Sequence, residues 1–467
     1  MKNNKTQEVM FKEIQEQTIF DKAQKYAMQY LDDIFDRHVS PTTKAIEDLK
    51  YFDEKIPLKS GSSSEIIDLL NEYGAPATVA QLGGRYFGFV NGSAIPVGLA
   101  AKNLATYWDQ NPAMHVLSPI ASKLEEIVEK WLIELFHFPA RTTAGFVSGT
   151  STANFCGLAA ARYRILKRQG WDINGKGLFN APQIRIVTSK QAHSTILKAI
   201  SLLGFGKNNI EWVEVDDKGR IIPELVPELD NNTIVILQAG NVNTGSFDDF
   251  DIICEKANNA NAWVHIDGAF GLWAGAVKKL KHQTKGMEKA NSWAVDGHKT
   301  LNTPYDSGIV LCEDKEALVS ALHMSGSYLV VADRDGMFYT PEMSRRARII
   351  ELWAVLKYLG KSGIDEMIYG MHQRTVQFAT KLKAAGFEIM NDVAFNQVMV
   401  CCETDELTTK TMERIQELRE CWVGGSVWNG KNTIRISVCS WTTTSEDVTR
   451  SVDSFVTAIN DVRKNID

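Results

Sequence analysis

Residues 292–308 read SWAVDGHKTLNTPYDSG, and the interpretation of the whole chain begins from this stretch. Its apolar start, Trp293-Ala294-Val295, predicts the end of a buried strand, and the glycine and histidine that follow predict a tight loop. Lys299 comes directly after them. A second strand pattern, AWVHIDGAF at 262–270, ends in Asp267 and small residues. The sequence therefore places an acid and a lysine at the ends of two strands.

An acid and a lysine placed in this way indicate pyridoxal 5′-phosphate as the cofactor. The Lys299 amine would form a Schiff base with the cofactor aldehyde, and the Asp267 carboxylate would keep the pyridine nitrogen protonated so that the ring accepts electrons. The alternative interpretation is that Lys299 is one solvated lysine among many.

Strand and helix patterns alternate from residue 144 to residue 312. Seven short apolar runs predict strands at 144–147, 184–188, 212–215, 233–238, 263–267, 292–295 and 308–312. Strands separated by helices predict an α/β fold with a largely parallel sheet covered on both faces, and ligands bind at the carboxyl ends of such strands. An amphipathic helical arm is predicted at 8–36, and the tail from residue 387 predicts a smaller α+β lobe.

The composition is that of an ordinary soluble protein. The 467 residues are 44% hydrophobic and 23% charged, with a net charge of −6, so nothing favours nucleic acid as a partner. No apolar run approaches a membrane span, and the first residues lack the apolar core of a signal peptide. Seven scattered cysteines without a CxxC motif indicate reduced thiols and no metal site. We expect a cytoplasmic protein.

Two further segments fit the proposed cofactor. In AGFVSGTSTANF at 144–155, a helix begins after Gly149, and its first amides with the hydroxyls of Thr150, Ser151 and Thr152 would cradle a phosphate. The alternative is simply a well-capped helix. His193 in KQAHS follows another strand and would stack on the pyridine ring, the alternative being a helix-capping histidine.

These segments together resemble the group II pyridoxal-phosphate-dependent amino acid decarboxylases, from RYFGFVNG at 85–92 to TIRISVCSWTTT at 433–444. The resemblance implies a type I aminotransferase-like large domain with a mostly parallel seven-stranded sheet, a small carboxyl-terminal domain and an amino-terminal arm. We predict the large domain at 96–350, the small domain at 351–467 and the arm at 1–95. The resemblance also implies a homodimer with active sites at the interface.

The resemblance assigns a role to each site residue. Lys299 is the Schiff-base lysine, His193 stacks on the cofactor ring, and Asp267 pairs with the ring nitrogen. The other implied cofactor contacts are Ala269 on the opposite ring face, Thr150, Ser151 and Thr152 in the phosphate loop, His298 near the phosphate, Asn241 near the 3′-oxygen, and Tyr305 in a segment that reaches the partner's cofactor.

The chain departs from the family pattern in places that bear on the reaction. Thr300 follows the lysine where many relatives carry a large apolar residue, and Asn241 and Val242 replace threonines. In the family a loop tyrosine protonates the substrate α-carbon, and phenylalanine at that position diverts the reaction towards oxidative deamination. Tyr339 is the predicted donor and Tyr328 a further candidate; the alternative is a surface or hinge tyrosine.

The implied reaction is α-decarboxylation of an L-amino acid. A substrate pocket is predicted from Phe87, Phe89, Trp108 and His115, the alternative being a glycine-rich turn before a core helix. Arg435 would bind the substrate carboxylate or form an ion pair between lobes. Aromatic substrates are favoured, with glutamate, aspartate or diamino acids as runners-up. An aminotransferase, an aldehyde-forming relative and a non-catalytic relative are the alternative functions.

Overall fold

A computed structural model describes residues 5–323 and 334–466 of the chain. The amino-terminal part is an arm of helices: α1 Lys5–Glu16, α2 Thr18–Asp32, α3 Thr43–Glu47 and α4 Ser63–Leu69. Helices α1 and α2 bury no side chain fully within their own chain. Their apolar positions, among them Val9, Phe11 and Ile14, are therefore exposed.

The large domain follows the arm and alternates strands with helices. Its strands are β1 Thr143–Val147, β2 Arg185–Ser189, β3 Ile210–Val213, β4 Thr233–Gln238, β5 Trp263–Asp267, β6 Ser292–Asp296 and β7 Gly308–Cys312. Its helices are α5 Pro96–Trp108, α6 Pro119–Phe136, α7 Thr150–Arg168, α8 Ile173–Lys176, α9 Ser194–Leu202, α10 Phe250–Asn259 and α11 Lys315–Leu322.

The seven strands form one sheet in the order β1-β7-β6-β5-β4-β2-β3. Strand β7 runs antiparallel to both of its neighbours, and all other pairings in this sheet are parallel. Strands β1 and β4 to β7 are buried along their whole length, as expected of a sheet covered on both faces. The predicted α/β class and mostly parallel seven-stranded sheet are confirmed.

The two faces of the sheet carry two separate apolar clusters. Because alternate residues of a strand point to opposite faces, Val264 and Ile266 pack on one side with α6 and α10. Trp263 packs on the other side, with side chains from α7, α9 and α11. The strand ends are thereby fixed between two layers of helices, which holds the residues that follow them in place.

A smaller α+β domain forms the carboxyl-terminal part, as predicted. Its elements are α12 Ile349–Ala384, β8 Glu388–Ile389, β9 Gln397–Cys401, α13 Asp405–Leu418, β10 Gly424–Trp428, β11 Lys431–Ser437 and α14 Ser445–Ile466. The strands pair antiparallel in the order β10-β11-β9-β8. Gly360 interrupts α12 with a φ of 55°.

None of the helices in the described ranges combines the length and the apolarity needed to cross a bilayer.

Candidate active site

The candidate residues gather at one edge of the large sheet. Strands β2, β4, β5 and β6 are parallel, and β1 points the same way because the antiparallel β7 lies between β1 and β6. Asp267 is the last residue of β5, Lys299 lies three residues after β6, and His193 lies four residues after β2. The start of α7 follows β1 at the same edge. The topology therefore brings together residues that are distant in the sequence.

Lys299 sits on a closed loop directly after β6. The loop is held by backbone hydrogen bonds from Gly297 to the Ser307 carbonyl (2.9 Å) and from Thr303 to the Gly297 carbonyl (2.9 Å). The Lys299 Nζ lies 3.2 Å from Asp296 Oδ2, and its side chain is mostly buried. The amine is thus held at the edge of the sheet by a neighbouring carboxylate.

Asn302 is a residue of this loop that sequence reasoning missed. Its Nδ2 lies within hydrogen-bond distance of the carbonyl oxygens of Lys299 (3.0 Å), Thr300 (3.0 Å) and Cys439 (2.9 Å). Its Oδ1 accepts hydrogen bonds from the amides of Ser93 (3.0 Å) and Trp441 (3.0 Å). One fully buried side chain therefore fixes the lysine loop to the residues before α5 and to the small domain.

Asp267 and His193 influence each other's charge. Burial is the largest influence on both, and it raises the pKa of Asp267 and lowers the pKa of His193. The charge of each side chain opposes the effect of burial on the pKa of the other. The charge of Lys299 acts on both of them. The three predicted residues therefore form one electrostatically coupled group.

His193 also caps a helix, which was the alternative interpretation of this residue. It is the residue before α9, and its Nδ1 accepts a hydrogen bond from the Thr195 amide (3.3 Å) and lies 2.9 Å from Thr195 Oγ1. The cap fixes the ring through Nδ1 and leaves Nε2 for other contacts. Ala269, the predicted residue on the other side of the ring, donates its amide hydrogen to Asp267 Oδ1 (3.2 Å).

The predicted phosphate loop begins α7 beside β6. The Thr150 amide and hydroxyl donate to Asp296 at 2.7 Å and 2.9 Å, so these two donors already have an acceptor. The Thr152 hydroxyl lies 3.3 Å from the Ser148 hydroxyl, and the Ser151 side chain is exposed. Of the three predicted hydroxyl groups, Ser151 is the one most open to a ligand.

His298 lies beside this loop. Its Nδ1 accepts the Ser307 amide hydrogen at 3.1 Å, and its Nε2 lies 3.5 Å from Asp296 Oδ2. Its ring stacks on Tyr305 with centroids 4.4 Å apart. Burial lowers the pKa of His298 and raises the pKa of Tyr305. Within a single chain, Tyr305 is thus in contact with the phosphate side of the candidate site.

Asn241 lies in a tight turn after β4. Its Oδ1 accepts hydrogen bonds from the amides of Asn243 (2.9 Å) and Thr244 (3.2 Å). Its Nδ2 is buried and has no hydrogen-bond partner among the described residues. The side chain shapes the turn, and the amide nitrogen is the group that remains for a ligand.

Two predicted assignments are corrected by the structure. Tyr339 is 1% exposed, lies in the apolar cluster with α7 and α11, and packs under the Arg334 guanidinium at 4.2 Å from its ring centroid. A tyrosine fixed in this way is a core residue and not a proton donor on a loop. Phe87 is also 1% exposed and packs on Phe378 in the core of the small domain, so it is not on the wall of a pocket. Tyr328 lies outside the described residues.

The other predicted substrate contacts are spread over the surface beside the site. Phe89 is 61% exposed and stacks on Trp422 with centroids 5.2 Å apart, Trp108 is 47% exposed, and His115 is exposed. Arg435 is the exception, because burial lowers its pKa and its charge acts on His193. Arg435 therefore belongs to the coupled group, and these three exposed residues do not.

The residues present fit pyridoxal phosphate. Asp267 is a buried carboxyl group that forms no ion pair within the described part of the chain, so a protonated ring nitrogen would supply the missing charge. The buried Asn154 Nδ2 beside it completes no hydrogen bond, although the amide is close enough to lower the pKa of Asp267. Within residues 5–323 and 334–466, no group of His, Cys, Asp and Glu is arranged to hold a metal ion.

Comparison with known proteins identifies the family of the chain. The model for the pyridoxal-dependent decarboxylase conserved domain matches residues 76–403. The chain is 28% identical over 325 residues to an acidic amino acid decarboxylase of Xenopus tropicalis, an alignment covering 66% of this chain and 62% of that protein. It is 27% identical over 329 residues to an aromatic-L-amino-acid decarboxylase of Bacillus atrophaeus, covering 68% of this chain and 66% of that protein. Both alignments span less than two thirds of the relative.

Solved structures show the same fold. The Oryza sativa TDC structure with PLP and tryptamine has a TM-score of 0.87 at 21% identity, covering 97% of this chain and 98% of that one. The mouse CSAD structure in apo form has a TM-score of 0.86 at 20% identity, covering 95% and 99%.

Proposed function

The chain belongs to the pyridoxal-dependent decarboxylase family, and on that premise we propose that it removes the α-carboxyl group of an L-amino acid as carbon dioxide. The observation that carries the proposal is that Asp267, Lys299 and His193 follow the carboxyl ends of the parallel strands β5, β6 and β2 and so meet at one edge of the sheet. When bound, the cofactor supplies a protonated conjugated ring that accepts the electron pair left when the carboxylate departs.

Asp267 controls the charge at the ring nitrogen. A carboxylate in a buried site interacts strongly with a nearby cation, because little solvent screens the two charges. Asp267 would therefore hold the proton on the ring nitrogen of a bound cofactor, and it would itself remain ionised beside that charge. The pairing would offset the effect of burial on the pKa of Asp267.

Lys299, Ser151 and His298 anchor the cofactor at its two ends. Lys299 provides the amine for covalent attachment, and Asp296 holds that amine at 3.2 Å. Ser151 at the start of α7 and His298 beside it face the position proposed for the phosphate, where the positive end of the helix dipole adds to the attraction. Lys299 at one end and Ser151 with His298 at the other would hold the cofactor so that Asp267 can reach its ring nitrogen.

Arg435 binds the substrate α-carboxylate in this proposal. It is partly buried on β11, donates to the Val242 carbonyl at 3.2 Å, and forms no ion pair within the described part of the chain. A partly buried guanidinium without a counter-ion is a favourable site for a carboxylate. Val242 follows the turn after β4, so Arg435 would hold that carboxylate at the edge of the sheet where the cofactor is proposed to bind.

The proton that replaces carbon dioxide on the α-carbon comes from His193 or Tyr328. His193 has Nε2 available for this step, because Nδ1 is held by Thr195. Tyr339 is fixed in the core. The second candidate function is oxidative deamination to an aldehyde and ammonia, the course that the resemblance implies where phenylalanine takes the place of the loop tyrosine, and Phe338 stands next to Tyr339.

Aromatic L-amino acids are the substrate class that we propose. Two cations, Lys299 and Arg435, act on His193, and in the proposal the cofactor and the α-carboxylate occupy them. An acidic side chain would need a further cation, whereas an aromatic side chain needs only apolar surface. Phe89 stacked on Trp422 offers such a surface, and it lies three residues before Gly92, which packs against the backbone of the lysine loop. Acidic and diamino acids are the runners-up.

The active enzyme is a homodimer in this proposal. In the arm, proposed as residues 1–95, Val9, Phe11 and Ile14 of α1 are exposed, and so is Phe89. In the large domain, Tyr107 and Trp108 are exposed at the end of α5. Apolar surface of this extent is typical of an interface between subunits. A cytoplasmic location is proposed because all seven cysteines are free thiols.

A product analysis tests the proposed reaction. Purified protein loaded with pyridoxal phosphate is incubated with single L-amino acids, and amine, carbon dioxide, aldehyde and ammonia are quantified. Equal amounts of amine and carbon dioxide from an aromatic substrate support the proposal. Aldehyde with ammonia and oxygen consumption supports the second candidate. Transfer of the amino group to a keto acid without carbon dioxide contradicts both.

A further inference from the structure

Four buried polar side chains form a continuous hydrogen-bond chain that ends beside Asp267. The Trp263 indole nitrogen lies 2.9 Å from Ser292 Oγ, and Ser292 Oγ lies 2.8 Å from His265 Nδ1. His265 Nε2 lies 2.9 Å from Asn154 Oδ1. All four side chains are at most 2% exposed, so water does not complete these bonds. None of the four was singled out by the sequence.

The fold places these residues on one face of the sheet. Trp263, His265 and Asp267 alternate along β5 and therefore point to the same side. Ser292 begins β6 and pairs directly with His265 in the sheet. Asn154 lies in the second turn of α7, which crosses above. The hydrogen-bond chain therefore runs along β5 towards Asp267. It includes a residue of α7, the helix that begins at the predicted phosphate loop.

The chemistry of the four groups fixes the direction of every bond. An indole N–H only donates, so Ser292 accepts from Trp263 and has its own hydrogen for His265 Nδ1. Burial lowers the pKa of His265 to about 3, so its ring is neutral, and an accepting Nδ1 leaves the hydrogen on Nε2. His265 then donates to Asn154 Oδ1. The Asn154 Nδ2 group, a pure donor, is directed away from His265.

That last donor lies over the face of β5 that carries Asp267, because His265, which Asn154 contacts at 2.9 Å, and Asp267 alternate along the strand. Asn154 Nδ2 is buried and completes no hydrogen bond within the described residues, and the Asn154 side chain acts to lower the pKa of Asp267. The reverse orientation of the amide would put its oxygen next to a carboxylate, which is unfavourable. A closely fitted glycine supports the arrangement: a Cβ at Gly157 would lie 2.6 Å from His265 Cε1, so a larger residue in α7 would displace the imidazole.

We propose that Trp263, Ser292, His265 and Asn154 are positioning residues that orient the Asn154 amide as a donor to Asp267 and so keep this carboxylate ionised for the cofactor's ring nitrogen. The proposal rests on the cofactor contact of Asp267 and not on the identity of the amino acid substrate. It assigns His265 a fixed tautomer and no role in proton transfer to the substrate.

The test compares two ligands that differ at one atom. Pyridoxal phosphate and its analogue with carbon in place of the ring nitrogen are titrated into the protein freed of cofactor, and both dissociation constants are measured by fluorescence. The ratio of the two constants reports the interaction between Asp267 and the ring nitrogen. A variant that merely loosens the fold weakens both ligands equally and leaves this ratio unchanged.

The expected ratios of the two dissociation constants follow from the direction of the hydrogen bonds between the four residues. Wild type binds pyridoxal phosphate more tightly than the analogue, and Asp267→Asn abolishes the preference. Asn154→Ala and His265→Phe reduce the preference by about 10-fold, because each removes the oriented donor. His265→Gln, whose amide hydrogen reaches towards Asn154, retains most of it. Trp263→Phe removes only the first donor and serves as a mild variant if the others do not fold.

Three results would overturn the proposal. An unchanged ratio of the two dissociation constants in Asn154→Ala and His265→Phe would show that the four hydrogen-bonded residues do not act on Asp267. A ratio in His265→Gln as low as in His265→Phe would show that volume and not hydrogen bonding matters. No preference in wild type would show that Asp267 does not hold the ring nitrogen. Decarboxylation is measured separately by amine release, so failure of the proposed function is distinguishable.

Discussion

Asp267 illustrates how a single residue combines a cost to stability with a function. A buried carboxylate without a counter-charge is unfavourable, and burial accordingly raises its pKa from 3.8. The neighbouring His193 and Lys299 offset part of this effect. The residue is therefore tolerated because it interacts with charges at the site, and not because it stabilises the sheet.

The first prediction concerns the stability of Asp267→Asn. For a group whose folded pKa is raised, the stabilising contribution is present below the unfolded pKa and is lost as pH rises through the folded pKa. The asparagine variant has no charge to bury. Without cofactor at neutral pH, we therefore expect its free energy of unfolding to exceed that of wild type by on the order of 1 kcal/mol. The difference should shrink at about pH 4, as measured by thermal unfolding. A wild type more stable at neutral pH would contradict this prediction.

A second prediction at the residue scale concerns Arg435. Replacing it with methionine removes the charge proposed to bind the substrate carboxylate, so KM should rise at least ~10-fold with a smaller change in kcat. Arg463→Met is the matched control, because Arg463 forms a surface ion pair with Glu403, and such pairs contribute little. A fall in kcat at constant KM would instead assign Arg435 to the structure between the lobes.

At the scale of elements, the close contact between the loop before α5 and the lysine loop fixes the position of Lys299. Gly92 packs so tightly that a Cβ there would overlap the carbonyl oxygens of Lys299 and His298. Because both atoms belong to the backbone, a side chain cannot be accommodated by a rotamer change. Asn302 holds the same two segments together through its hydrogen bonds to Ser93 and Lys299.

The third prediction is that Gly92→Ala moves the lysine loop. We expect a loss of about 1–3 kcal/mol in the free energy of unfolding, and weaker cofactor binding seen as lower visible absorbance after dialysis. Gly370→Ala is the matched control: it lies within α12 with no atom inside 4 Å of an added Cβ, so stability should be unchanged or higher. Equal behaviour of the two variants would contradict the proposed role of Gly92.

The elements around the site also show what the sequence can predict. Asp267 and Lys299 were placed correctly at one edge because buried parallel strands are continuous apolar runs and their carboxyl ends meet. Tyr339 was misplaced because its segment has no periodicity, and only contacts with Arg334 and the α7–α11 cluster decide its position. Asn302 was missed because one of its partners, Cys439, is 137 residues away in the chain.

At the scale of the whole molecule, the first two helices of the arm contribute little to the fold of their own chain. Helices α1 and α2 bury no side chain fully, although Lys22 and Tyr26 bind Asp68 at 2.6 Å and 2.7 Å. In the proposed homodimer, their exposed apolar residues would be buried against a second copy. The arm would then stabilise the dimer, and the active site would depend on it.

The fourth prediction is that deleting residues 1–32 separates folding from assembly. The shortened chain should remain folded, because the deleted helices have no fully buried residues, but it should sediment as a monomer with little activity. Phe11→Asp tests the same surface by one substitution at an exposed position. A shortened chain that remains a fully active dimer would contradict the proposed role of the arm.

The central claim is that this fold holds pyridoxal phosphate on Lys299 at the edge of the sheet. The most direct measurement is to reduce the cofactor-loaded protein with borohydride, digest it, and locate the cofactor-derived mass by peptide sequencing in the mass spectrometer. We predict the added mass on Lys299, in the peptide containing DGHK. Modification of a different lysine, or none, would contradict the claim and the site built on it.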